Sequence, residues 1–299
     1  MRIVDAHHHL WNLDPVDPGI GYKWLRQTGV MRPFGDPAPI QRDYLIAELK
    51  AETTRAELIG SVHIQCDGTL ETPEEETRWL QSVADKEGMP NALIALVDFS
   101  KPNAEQVLTA HRKHANFRGV RQIIARLEGR PDLSFVPTDL LQNDLWRQQF
   151  PLLADFDASF DLQLYPEQMA EAAAFLADHP SIPVVVDHLG SPHDQSVEGL
   201  AKWKAALSHL AALPHVCIKL SGMGMYDRNW SAASVKPLYE TMMDLFGPSR
   251  IMFGSNYPVD KLFATYDDVL DQVSLLTADL SEPEKAAIFE GTARKFYRI

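Results

Sequence analysis

Short apolar runs rich in Val, Ile and Phe alternate with amphipathic stretches along the whole chain, and this alternation restricts the folds open to it. The runs are Ile3–Ala6, Leu58–Gln65, Ala92–Asp98, Phe117–Ile123, Phe160–Leu164, Pro183–His188, Val216–Leu220 and Arg250–Gly254. Most are continuous rather than alternating, as strands buried on both faces of a parallel sheet must be. Helical patterns separate them, for example Thr72–Lys86, Pro166–Asp178, Val197–Ala211 and Ser231–Phe246. Thr72-Pro73-Glu74-Glu75 reads as an N-cap, a proline at the first helical position and acids in the first turn. Eight strand–helix units in 299 residues give about 37 residues each, the arithmetic of a TIM (β/α)8 barrel. A doubly wound open sheet uses the same units, but no Gly-rich phosphate turn follows the first run. The expectation is therefore one α/β barrel domain spanning residues 1–299.

Several runs end in polar or glycine clusters: Asp5-Ala6-His7-His8-His9, Arg118-Gly119-Val120-Arg121-Gln122, Asp187-His188-Leu189-Gly190 and Gly254-Ser255-Asn256. In a TIM barrel the strand C-termini carry the active site, so these clusters fall on the expected face. In an extended segment alternate side chains share a face, so His7 and His9 can reach a common point while His8 turns away. Two imidazoles at a strand end suit a divalent metal or the polarisation of a substrate oxygen. Two irregular stretches, Trp11 to about Gln41 and Ala125 to about Asp144, are long enough to be binding loops. The first carries Asp14, Pro15, Pro18 and Gly19 as well as Trp24.

The composition excludes other classes. At 45% hydrophobic and 23% charged residues it is that of an ordinary globular chain, and no stretch approaches the roughly 18 apolar residues of a membrane span. A net charge of -13 argues against nucleic acid and anionic membrane as partners, and any anionic substrate would need local arginines. Cys66 and Cys217 read as buried free thiols, and the N-terminus lacks a signal-peptide pattern, so the cytoplasm is the expected compartment. A small-molecule substrate is expected, and homo-oligomerisation is left open. There is no GxSxG elbow, phosphate loop, HExxH or CxxC.

Taken in order, the Asp-x-His-x-His strand end, Phe117-Arg118-Gly119-Val120-Arg121, Asp187-His188-Leu189-Gly190 and Phe253-Gly254-Ser255-Asn256-Tyr257-Pro258 resemble the amidohydrolase-related family. The branch they resemble holds 2-pyrone-4,6-dicarboxylate lactonase and sugar-acid lactonases such as fuconolactonase. The resemblance runs from Ile3 to about Val259. It implies that His7 and His9 lie beside the reacting carbonyl, that Arg118 and Arg121 bind a carboxylate or carbonyl oxygen, and that Tyr165 and His188 end the fifth and sixth strands at the site. It also implies an aspartate where this chain has Asn256. An amide neither ligates metal well nor accepts a proton, which leaves three routes to an activated water. Asp260 swings a carboxylate into the pocket; or His188 or His9 is the base; or three histidines hold zinc.

The catalytic candidates are thus His7, His9, His188, Asn256 and Asp260. Candidates for substrate binding are Arg118, Arg121, Tyr165, Trp24 and Gln65, the last two from the first long stretch and the end of the second strand. Strict alternation puts Arg118 and Arg121 on opposite faces, so one of the two is expected to be structural. His111 and His114 read as surface residues. The cofactor expectation is either none or one Zn2+ held by His7, His9 and His188. The expected activity is hydrolysis of a sugar-acid or aromatic-breakdown lactone. Its rivals are a metal-dependent non-oxidative decarboxylase and a non-catalytic binding protein on a decayed barrel.

Overall fold

A computed structural model describes residues 1–13, 21–66 and 72–299. Asp14, Pro15, Pro18 and Gly19 of the first long stretch lie outside the described residues. Eight strands follow one another in sheet order: β1 (Arg2–His8), β2 (Glu57–Ile64), β3 (Ala92–Ala95), β4 (Phe117–Arg121), β5 (Ser159–Leu162), β6 (Val184–Val186), β7 (Val216–Leu220) and β8 (Ile251–Phe253). Every neighbouring pair is parallel. Two backbone hydrogen bonds tie the last strand back to the first: Asn256 N–H donates to His7 O at 2.7 Å, and His9 N–H donates to Tyr257 O at 2.6 Å. The sheet is a nearly closed barrel, as the alternation requires.

The observed strands are mostly shorter than the apolar runs because the polar ends leave the ladder to form the rim. Helix boundaries follow the sequence signals closely. Pro73–Glu87 starts on its proline with three glutamates in its first turn, and it stops at Gly88, whose φ of 75° suits a glycine cap. Val197–Ala211 starts where Ser196 Oγ accepts the Gly199 N–H at 3.0 Å. Among the described residues no helix is long and apolar enough to cross a membrane.

Two apolar layers make up most of the core. The larger lies between strands and helices and includes Trp146, Phe150, Phe160 and Phe175. The smaller joins Val4, Ala6, Val62, Ile64, Ala92, Ile94, Val185 and Met252 to Tyr297. Residues on strands as far apart in the sheet as β1 and β6 meet in one cluster only through the barrel interior. Tyr297, on the closing helix Thr292–Tyr297, is completely buried there and fills the N-terminal end of the barrel.

Candidate active site

The register of β1 against β2 shifts between Asp5 and His8, an irregularity of the kind that re-aims side chains near active sites. The imidazole of His7 lies 5.1 Å from that of His9 and 4.4 Å from that of His188, centroid to centroid. His8 turns away and meets His63 at 5.9 Å. His9 Nδ1 lies 2.7 Å from the carbonyl oxygen of Ile64. A carbonyl only accepts, so Nδ1 carries the proton and Nε2 the lone pair. His188 Nδ1 lies 3.1 Å from Ser221 Oγ. The backbone from His188 to Ser191 is left-handed throughout, with φ of 51°, 58°, 70° and 54°, and Asn256 shares that conformation at 56°. Each non-glycine residue held there costs about 1–2 kcal/mol, and such strain collects where a fold must aim a functional side chain.

These side chains open onto a cavity of about 460 Å³. His9, Trp24, Gln65, Arg121, His188 and Asn256 all line it, and the two long irregular stretches supply walls through Arg32 and Phe34 on one side and Phe135 on the other. His7 is completely buried and does not line the cavity. Among the described residues two arginines and no carboxylate line the cavity, so these residues give it a cationic wall in a chain of net charge -13.

A buried ionic network, which sequence reasoning did not assemble, supports the histidines. Lys219 Nζ bonds Asp161 Oδ1 and lies 3.1 Å from Asp187 Oδ1 and 3.2 Å from His7 Nδ1. Tyr297 donates to Asp161 Oδ1 at 2.8 Å. Arg121 Nη2 donates to the Gln65 carbonyl, while Nη1 is 3.5 Å from Gln163 Oε1 and 3.8 Å from Asp187 Oδ2. Burial, with Lys219 and Arg121 adding to it, holds His7 and His9 well below the usual imidazole range. It pulls His188 down to about 3 against the opposing Asp187 charge, so all three rings are neutral. Burial pushes Asp161 up to about 6 in spite of Lys219. The same burial acts on Asp187, but Lys219 and His7 together keep its carboxyl well below the carboxylate range.

The donor chemistry fits a divalent metal. His7 Nε2 is buried without a partner, and His7, Asp187 and His188 offer ligand atoms within 4.8 Å of one another. Two neutral imidazoles and a carboxylate form a ligand set of the zinc type. This group contains Asp187 and not His9, unlike the three-histidine set expected from the sequence. Asp187 immediately precedes His188 in the Asp-His-Leu-Gly motif, so its position was the available signal.

Three predicted site residues are placed elsewhere. Asp260 is completely buried and absent from the cavity wall; it sits behind Asn256, whose Nδ2 donates to its Oδ1 at 2.9 Å. It neither swings into the pocket nor pairs with Lys261, which binds Glu48 and Glu52. Arg118, at the N-terminal end of β4, donates to the carbonyls of Ala115 at 2.7 Å and Phe117 at 2.8 Å on the opposite rim, as alternation with Arg121 allows. Tyr165 has left β5 and begins the helix Pro166–Ala177; its hydroxyl donates to Leu133 O at 2.7 Å, which secures the second long stretch from behind. His111, read as a surface residue, is completely buried, bonded to Thr77 at 2.9 Å and to the Leu96 carbonyl at 3.1 Å.

Comparisons with known proteins agree with this architecture. Uncharacterized protein y4mH of Sinorhizobium fredii is 36% identical over 301 residues, covering 100% of this chain and 99% of its own length. L-fucono-1,5-lactonase of Burkholderia multivorans is 30% identical, over 99% of this chain and 96% of that protein. The crystal structure of an amidohydrolase from Burkholderia multivorans with bound zinc superposes with a TM-score of 0.82 at 28% identity, over 100% of both chains. Residues 4–299 match the amidohydrolase family model, and the chain belongs to that family.

Proposed function

We propose that this protein hydrolyses a lactone, with His9 as the base that activates water and Arg121 as the group that steadies the carbonyl oxygen. One observation carries the reading: a neutral imidazole with its lone pair on Nε2 shares a cavity with a guanidinium whose Nε has no partner. The lactone carbonyl oxygen accepts from Arg121, which places the carbonyl carbon among the histidines. The water oxygen bonds to that carbon while one of its protons passes to His9 Nε2, and the carbonyl π pair moves onto oxygen beside Arg121. When the adduct collapses, the ring C–O bond breaks, and the leaving oxygen takes the proton back from His9. The product is a hydroxy acid, and among the described residues no carboxylate lines the cavity to repel its new charge.

His7, Asp187 and His188 are the residues that would hold a divalent ion, and a bound ion would supply Lewis-acid polarisation of the carbonyl. The carboxamides of Gln65 and Gln163 beside the Trp24 indole suit the hydroxyls of a sugar-acid lactone better than a flat aromatic acid. The lactonase relative supports the same choice.

A pH-indicator assay over a panel of sugar-acid lactones and pyrone carboxylates tests the reading, with metal content measured on chelator-free protein. Turnover of at least one lactone is expected, with a loss of about 10²–10⁴-fold in His9→Ala. A His9→Ala variant at the wild-type rate would remove His9 as the base. No turnover across the panel would remove the lactone reading itself.

A further inference from the structure

Asn256 lines the cavity but cannot take a proton, and its tethers fix which end of its amide faces the cavity. Its N–H donates to His7 O at 2.7 Å, and its carbonyl accepts the Asp260 N–H at 3.0 Å. The side chain is fixed as well, with Nδ2 donating to Asp260 Oδ1 at 2.9 Å. The Oδ2 of Asp260 is buried without a partner. A carboxylate can only accept. With Nδ2 donating to Asp260 Oδ1, the Oδ1 of Asn256 is the end left for the cavity.

We propose that Asp260 is a positioning residue that holds the Asn256 carboxamide oxygen towards the cavity, where it accepts a hydrogen bond from the attacking water. This rests on the lactone reading. The β1–β8 seam brings the two partners of that water together, since His9 N–H donates to Tyr257 O at 2.6 Å beside the Asn256–His7 bond. One water hydrogen is then held by Asn256 Oδ1 and stays with the oxygen, while the other passes to His9 Nε2. The carboxamide aims the lone pair of the water without changing its own protonation. An amide can therefore serve at this strand end provided that its flip state is locked, and the lock is Asp260.

A double-mutant cycle tests the lock. Asp260→Leu should lower kcat on the order of 10–100-fold with KM within about twofold, because the water and not the substrate is misdirected. Asp260→Asn keeps an acceptor at Oδ1 and should retain kcat within about threefold. In an Asn256→Leu background, Asp260→Leu should cost nothing further. Additive losses in the double variant, or a loss that falls on KM, would overturn the proposal, since Asp260 would then act independently or Asn256 would bind substrate.

A second readout needs no substrate. In ¹⁵N spectra the Asn256 side-chain amide, identified by its disappearance in Asn256→Leu, should exchange slowly in the wild type and in Asp260→Asn and rapidly in Asp260→Leu. Fast exchange in the wild type overturns the lock whatever the activity. Slow exchange in a protein that opens no lactone leaves the lock standing and removes the lactone reading instead.

Discussion

Gly222 lies directly against the His188 ring: a Cβ at that position would come within 2.4 Å of His188 Nδ1 and 2.7 Å of its Cγ. The glycine has a φ of 66°, so alanine there would meet both a steric clash and left-handed backbone strain of about 1–2 kcal/mol. Gly222→Ala should displace His188 from the cavity wall. kcat/KM is expected to fall on the order of 100-fold. The melting temperature should drop by about 2–4 °C per kcal/mol of strain. Steady-state kinetics and calorimetry on the same preparation check both, and an unchanged kcat/KM would show that turnover does not depend on where His188 sits.

Tyr165→Phe should behave in the opposite way. The hydroxyl it removes binds Leu133 O at 2.7 Å, behind the cavity rather than in it. A loss of about 1 kcal/mol in stability is expected, the worth of one hydrogen bond. KM should stay close to wild type. Urea denaturation and kinetics separate the two effects, and a large rise in KM with stability unchanged would return Tyr165 to the substrate.

The contrast between these residues shows how far the sequence could be read. Val216–Leu220 and Val197–Ala211 appear in the structure with the boundaries expected of them, because a continuous apolar run and a capped amphipathic stretch are local signals. His7, His9 and His188 converge because the C-terminal ends of β1 and β6 share one rim of the barrel. Lys219, Asp161 and Asp187 were harder to read. Each sits in or beside an apolar strand, and nothing local marks a charge whose partners lie on other strands until the barrel closes. Tyr165 misleads for a related reason: the strand ends at Leu162, and Pro166 turns the chain into a helix before the tyrosine reaches the rim. His111 ends a helix, where its stacking on Phe117 at 5.6 Å is a tertiary contact invisible to periodicity.

Arg121→Lys tests the charge logic of the cavity. The arginine is oriented through both Nη groups, by the Gln65 carbonyl and Gln163, which a lysine cannot reproduce. Binding of hydroxy-acid products should weaken about 10–100-fold, whereas neutral polyols of the same size should change less than about threefold. Isothermal titration of both ligand kinds checks this, and equal losses would mean that Arg121 shapes the cavity without contacting the anion.

Asp260 gives the pH dependence. Burial, foremost, pushes its carboxyl up to about 7 against the pull of the Asn256 and Gly224 donors. The folded state therefore keeps a proton that the unfolded chain releases near pH 4. Below that pH both states hold the proton, and the group does not oppose folding. As pH rises from about 4 to about 7, the wild type loses roughly 1.4 kcal/mol of stability per unit at this site, and above that range the loss levels off. Asp260→Asn has no proton to lose. Its stability relative to the wild type should rise with pH across this window, to a ceiling of a few kcal/mol, while turnover is retained. Urea midpoints of both proteins at several pH values between about 4.5 and 7.5 would show the gap widening. A gap that stays constant would mean that Asp260 ionises normally in the fold. The carboxylate would then be charged at neutral pH, and its burial would have to be offset by partners beyond Asn256 and Gly224.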